Sequence, residues 1–279
     1  MSKYPFMRQS LLRNGFTEAH FFEPEQMSTD VILETHDPVY WNKLLSNSLS
    51  RQEERRIGFP WSDRLLDREI HIMYGTVQAA LSALEHGVAF NIAGGTHHAY
   101  RDRGEGFCIF NDIAIGANYL LKHTRVEKVL VVDLDVHQGN GTAAIFQDNP
   151  NVFTFSMHGE KNYPFKKEQS DLDIGLPNGI QDAEYLSLLR EHFDAVMNWF
   201  HPDFIFYQSG VDILETDKLG KLGVSLSGCE ERDRIVLSKA ADLGIPLTAV
   251  MGGGYSPDIN TIVEAHVNTY LLEIGRAHV

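Results

Sequence analysis

Lys128–Thr142 reads KVLVVDLDVHQGNGT, and most of the architecture follows from how that stretch begins and ends. Val129 to Val132 form a short apolar, β-branched-rich run, as expected of a strand buried on both faces of a parallel sheet. The run stops at Asp133, Asp135 and His137, followed by Gly139 and Gly141. Two carboxylates and an imidazole at the end of a core strand are costly to bury unless a cation compensates them. Asp135 and His137 lie two residues apart and point the same way along an extended chain, so both can reach one metal ion. These donors suit Zn²⁺ or Fe²⁺, and the two glycines let the backbone turn sharply beside it. The competing reading is a hydrogen-bonded loop that only caps the sheet.

At 279 residues the chain is long enough for one large α/β domain or two small ones. No Pro/Ser-rich linker, internal repeat or low-complexity tract divides it, which favours a single domain over 1–279. A formal net charge of −14 argues against a binder of nucleic-acid phosphates, and overall it would attract a cationic substrate. Cys108 and Cys229 form no CxxC pair, so free thiols and a cytoplasmic location are expected. No apolar run approaches eighteen residues and no signal-peptide pattern opens the chain, so no membrane partner is expected.

The flanking sequence alternates strand and helix signals. A short helix is expected over Tyr4–Phe16, ending at Gly15. A brief strand or helix end follows at Val31–Leu33, then helical turns at Tyr40–Leu45. The charged segment Ser50–Pro60 reads as a surface loop. Ser62 stands where an N-cap would, and apolar residues from Leu65 to Leu84 recur at helical spacing until Gly87. Val88–Ala93 is the first strand. Asn111 or Asp112 then caps a helix ahead of the central strand. Val152–Met157 is the next strand, and a long polar loop precedes a helix opened by Asp182. Phe204–Tyr207 and Leu247–Met251 complete the strands, with a helix between them expected to start in a Ser227/Glu230 capping box. Such alternation predicts a doubly wound, mostly parallel sheet flanked by helices. His97 and His98, Asp135 and His137, Asp212, and Tyr255 each follow the C-terminal end of a predicted strand, where open α/β sheets build their ligand sites.

GGTHHA at Gly94–Ala99, GEGFCIFND at Gly104–Asp112, DLDVHQGNGT at Asp133–Thr142, SGVDILETDKLG at Ser209–Gly220 and GGGY at Gly252–Tyr255 together resemble the histone deacetylase superfamily of the arginase–deacetylase fold. The likeness is greatest to its class IV and bacterial deacetylase-like members and runs from about Gly58 to the C-terminus. It implies a Zn²⁺-dependent amidohydrolase, with Fe²⁺ as the alternative ion, that removes an acetyl or longer acyl group from a lysine side-chain amine. By the same resemblance the metal is held by Asp135, His137 and Asp212. His98 corresponds to the general base and His97 to its protonated partner, oriented by Asn140 and Asp133 respectively. A neutral amide beside His98 cannot raise its pKa by charge, so His98 should be the more easily deprotonated ring. Tyr255 matches the tyrosine that donates to the substrate carbonyl. Phe107 and Tyr163 fall on the aromatic walls of the substrate channel, and Gly106, Cys108 and Gly253 on the pocket whose packing sets acyl length. A structural K⁺ site is implied at Asp133, Asp135, His137, Ser156 and Met157.

Leu219 stands where polyamine-selective relatives carry an acidic gatekeeper. It offers a second amine no countercharge, so acyl-lysine in a protein or peptide is expected over acetylpolyamine or another small acyl-amine. A dinuclear ureohydrolase of the same fold would need an acid at Gly139 and a second aspartate at Leu214. A non-catalytic acyl-lysine binder would not need the full set of His97, His98, Asp135, His137, Asp212 and Tyr255. One departure is expected: relatives begin with a strand and a histidine-containing loop, whereas Met1 falls almost at the first helix, so that edge strand is expected to be missing, through either a sheet one strand narrower or a truncated start.

Overall fold

The computed structural model describes residues 3–274. Five α-helices precede the sheet: α1 (Lys3–Arg13), α2 (Asp30–Leu33), α3 (Pro38–Leu45), α4 (Arg51–Ile57) and the long α5 (Asp63–His86). There follow β1 (Val88–Asn91), α6 (Asp112–His123), β2 (Val129–Asp133), α7 (Asn140–Phe146), β3 (Val152–Gly159) and β4 (Leu172–Leu176). The chain closes with α8 (Asp182–Phe200), β5 (Phe204–Gln208), α9 (Leu226–Asp242), β6 (Leu247–Val250) and α10 (Ile259–Ile274).

The strands form one sheet in the order β1-β6-β5-β2-β3-β4, every pairing parallel. Side-chain alternation divides the core into two layers. Val129, Val131, Phe204 and Phe206 face the alanine-rich stripe of α5 and the apolar side of α6. Leu130, Val132, Ile205 and Tyr207 pack against α8 and α9 from the other side. Every residue of β2 and β5 is therefore buried, which explains their unbroken apolar reading. β2 leads onward to β3 on one side and β5 to β6 on the other. The winding thus reverses between β2 and β5, and the crevice beyond their C-terminal ends is where such sheets bind ligands.

Several elements depart from the expected pattern. Ser50–Pro60 is not a loop. Ser50 accepts from the Glu53 N–H, the Glu53 carboxylate reaches back to the Ser50 N–H at 2.7 Å, and Gly58 ends α4 at φ +88°. Val31–Leu33 belongs to a helical turn, α2. The cap of α9 is Ser225, which accepts from the Gly228 N–H at 3.0 Å, rather than Ser227 with Glu230. The polar stretch before Asp182 holds β4, an edge strand that Asp173 and Gly175 disguise and that pairing with β3 creates. Among the described residues β1 pairs only with β6 and ends the sheet on that side.

Candidate active site

Three side chains meet at the β2/β5 crevice. The ligand atoms of Asp135, His137 and Asp212 lie within 4.8 Å of one another, all buried. His137 Nδ1 is 3.1 Å from Asp135 Oδ1 and 3.1 Å from Asp212 Oδ2. Tetrahedral ligands about 2.0–2.1 Å from a shared Zn²⁺ sit roughly 3.3 Å apart, so the donor set fits such an ion in type and spacing. The remaining lone pairs are held by backbone: Asp135 Oδ2 accepts from Gly253 N–H at 2.8 Å, and Asp212 Oδ1 from Val136 N–H at 2.9 Å. Burial and the neighbouring Asp135 charge push Asp212 up to about 7, the cost of two carboxylates in one dry site. His137 rises to about 10; burial opposes this, and the hydrogen bonds and charges of Asp135 and Asp212 prevail. At Gly253 a Cβ would overlap the Asp212 carboxylate, so the loop after β6 closes over the cluster only as glycine.

Beside the cluster lie His97 and His98, their rings 4.2 Å apart and both buried. Asp112 fixes the loop that carries them, accepting from the N–H groups of Gly95 and Thr96 and from the Thr96 hydroxyl. His97 Nδ1 is 2.7 Å from Asp133 Oδ2, and His98 Nδ1 is 2.6 Å from Asn140 Oδ1. The two environments diverge. Burial lowers His97, but Asp133 and Asp135 outweigh it and hold the ring at about 9. Burial, then the charges of His97 and His137, drive His98 well below the usual histidine value. Asn140 Nδ2 donates to Glu105 Oε1 and to the Tyr100 hydroxyl, both at 3.0 Å. That fixes the amide with its oxygen towards His98, so His98 carries its proton on Nδ1 and presents Nε2 as the lone pair. Glu105 and Tyr100 carry no local sequence signal for this contact, because only the fold brings them to Asn140.

Tyr255 follows β6, its N–H donating to Asp217 Oδ2 at 2.6 Å. Partial burial, then the charges of Asp212 and Asp135, raise its hydroxyl above the normal range, and the residue lines the cavity that holds the Asp135, His137 and Asp212 cluster. Phe107 and Tyr163 stand at the mouth. Tyr163 meets His98 edge-on at 5.1 Å, and Phe107 is 47 % exposed at φ +68°. The bulky Phe107 is held in that unfavourable conformation by its N–H bond to Ile57 O at 2.7 Å and by Gly106 N–H to Arg56 O at 3.0 Å. A Cβ on Gly106 would come within 2.7 Å of the His98 ring. Leu219 lies 45 % exposed on the same rim.

Two neighbouring cavities share the lining residues His98, Gly106, Phe107, His137 and Tyr255: an outer one of about 460 Å³ and an inner one of about 380 Å³. The inner cavity continues past the cluster to Lys3, Arg68 and Glu69. Glu69 pairs with Arg68, is 2 % exposed and is pushed up to about 7 by burial. Of the residues assigned to a K⁺ site, Asp133 and Ser156 are register partners on β2 and β3, with Met157 next in the strand. The Ser156 hydroxyl lies 2.9 Å from His158 Nδ1. Beneath the cluster is another group the sequence did not announce. Arg232 of α9, fully buried, donates to the carbonyls of Ser209, Gly210 and Leu134, next to the two loops that carry the candidate ligands, and pairs with Asp233.

Comparison with known proteins identifies the family and the fold. A family model described as the histone deacetylase domain matches residues 1–270. An uncharacterized protein of Picosynechococcus is 43 % identical over 95 % of this chain and 89 % of its own length. Histone deacetylase 2 of Arabidopsis thaliana is 32 % identical over 91 % of this chain and 68 % of its own. The crystal structure of an HDAC homolog from Aquifex aeolicus superposes with a TM-score of 0.83 at 26 % identity, covering 97 % of this chain and 77 % of that one. An HDAC homolog complexed with SAHA superposes equally well.

Proposed function

The chain belongs to the histone deacetylase family and has its α/β arginase–deacetylase fold, and from that premise we propose a Zn²⁺-dependent hydrolase that removes an acetyl or longer acyl group from a lysine side-chain amine. The observation that carries the reading is the asymmetry of the histidine pair, one ring on a carboxylate and the other on an amide, beside a three-ligand cluster. A pair of titratable groups pushed apart by their surroundings is how acid and base roles are divided at one pH.

Zn²⁺ held by Asp135, His137 and Asp212, with Fe²⁺ as the alternative, would supply a polarised acyl carbonyl and a more acidic water. His98, its Nδ1–H fixed on Asn140, would use Nε2 to take a proton from the attacking water. His97, kept protonated by Asp133, supplies a proton to the departing lysine amine. The Tyr255 hydroxyl donates to the substrate oxygen as negative charge develops, a contribution worth about 10²–10³ in rate. Phe107 and Tyr163 flank the lysine stem, and the inner cavity of about 380 Å³ receives the acyl group. K⁺ at Asp133, Asp135, His137, Ser156 and Met157 belongs to the reading as a structural ion. A cytoplasmic location is part of it too; no helix of the described residues is long and apolar enough to cross a membrane.

The test is hydrolysis of an acetyl-lysine peptide with and without chelator, beside the His98→Ala variant. Activity should vanish with chelator and return with Zn²⁺, while His98→Ala loses turnover and keeps its metal by elemental analysis. Near wild-type hydrolysis by His98→Ala would overturn the assignment of the base.

A further inference from the structure

The mouth of the channel carries charge of the opposite sign to the molecule. Of the sixteen residues lining the outer cavity, five are basic (Arg55, Arg56, Lys161, Lys218 and Lys221) and none is Asp or Glu. The whole chain has 38 acidic against 24 basic residues, so chance would populate a patch the other way. All five side chains are exposed, and among the described residues none of them forms an ion pair. The nearby carboxylates are engaged elsewhere. Glu105 accepts from Asn140 and Tyr163, and Asp217 from the N–H groups of Leu219, Gly220 and Tyr255. Glu160 and Glu215 are exposed but do not line the cavity.

The cations fall into two groups on different segments. Arg55 and Arg56 end α4, whose last carbonyls hold the Gly106–Phe107 wall. Lys161, Lys218 and Lys221 cluster about Tyr163 and Leu219, joined by Lys221 Nζ to Lys161 O at 2.9 Å and Asn162 Nδ2 to Leu219 O at 2.8 Å. Phe165, 90 % exposed, adds an apolar contact on the same rim. We propose that this rim selects acyl-lysine lying in an acidic stretch of polypeptide, with Asp or Glu on both sides of the acylated residue. The proposal rests on the deacylase reading above. Two separate basic groups with exposed apolar side chains suit an extended chain crossing the mouth; a small amine with a single anionic group would use one of them. A lysine-rich tail or a polyamine would meet like charge.

Three acetyl-lysine peptides of equal length, flanked by Asp/Glu, Ser/Gly or Lys/Arg, test this through kcat/KM. The acidic peptide should exceed the neutral one by about tenfold at low salt, the sum of two or three exposed ion pairs, with the basic peptide slowest. In 1 M NaCl, where charges are screened beyond about 3 Å, the spread should shrink to less than about threefold. Arg55→Gln with Arg56→Gln, and separately Lys218→Gln with Lys221→Gln, should each lower the acidic-to-neutral ratio by about threefold. Equal rates on all three peptides, or preference for the basic one, would overturn the rim assignment and leave the deacylase reading standing. If no peptide is hydrolysed, that reading fails, and fluorescence anisotropy of the same labelled peptides decides the rim. Tighter binding of the acidic peptide supports it; equal binding, or tighter binding of the basic one, refutes it.

Discussion

Asn140 shows how one side chain can set the protonation of its neighbour. Its amide oxygen accepts from His98, and its nitrogen is held by Glu105 and Tyr100. With no negative charge at Nδ1, burial and the charges of His97 and His137 keep His98 deprotonated. Asn140→Asp would place a carboxylate there, favour the imidazolium and raise the pKa of His98. On the proposed mechanism the working base is the neutral ring, so raising its pKa would protonate it over more of the acid range. The acid limb of the kcat/KM profile should therefore move to higher pH by about one unit or more, with loss at pH 6 exceeding loss at pH 8. A profile that keeps its shape while falling uniformly would mean that Asn140 acts by packing alone. The Asp/Asn difference between His97 and His98 was legible at residues 133 and 140. The Glu105 and Tyr100 supports were not, since they lie 35 and 40 residues from Asn140 and no local pattern joins them.

Elements were legible where burial imposed a pattern and obscure where it did not. β2 and β5 declared themselves because both faces are buried, and α5 because a capped apolar stripe runs to Gly87. α4 reads RQEERRI, charged on nearly every side, and its evidence lay in the Ser50/Glu53 box rather than in periodicity. That box has a reach beyond its helix, because the last carbonyls of α4 hold Gly106 and Phe107. Ser50→Ala should cost about 1 kcal/mol in denaturant unfolding and raise KM for an acyl-lysine peptide more than it lowers kcat. Bonds from Lys43 and Ser50 hold Glu53 down at about 2, below its unfolded value. Its contribution is thus present above about pH 4.5 and lost as pH falls towards 2, so the Ser50→Ala deficit should narrow in acid. α9 matters through Arg232. Its guanidinium is the common anchor of the loops after β2 and β5, and a leucine there would leave Asp233 buried beside Tyr207 and Thr269 without its cation. Arg232→Leu should destabilise the protein by about 3–5 kcal/mol and weaken metal retention during dialysis. Intact stability with normal metal content would show that the anchor is dispensable.

At the scale of the molecule, the sheet and the polar C-terminal edge that carries the site were legible because four strand ends announced polar residues in an otherwise apolar frame. The sign of the field at the mouth was not, since −14 is a sum over the chain and the basic rim gathers residues from 55 to 221. The same frame would couple a bound metal to stability. Asp135 and His137 come from the loop after β2 and Asp212 from the loop after β5, so an ion shared by them binds the folded chain and not the unfolded one. At a Zn²⁺ concentration of about 100 Kd this adds roughly 2.7 kcal/mol, or roughly 5–10 °C in Tm for a domain of this size. Protons compete for the same atoms: the protein's own charges lift His137 to about 10, while burial and Asp135 lift Asp212 to about 7. Ligation requires both groups deprotonated, so each proton retained at low pH must be expelled by the metal. The Zn²⁺-induced rise in Tm should therefore grow between pH 5.5 and pH 8 at fixed free Zn²⁺, and Asp212→Asn should abolish it. A rise that is independent of pH, or that survives Asp212→Asn, would place the stabilising ion elsewhere on the molecule.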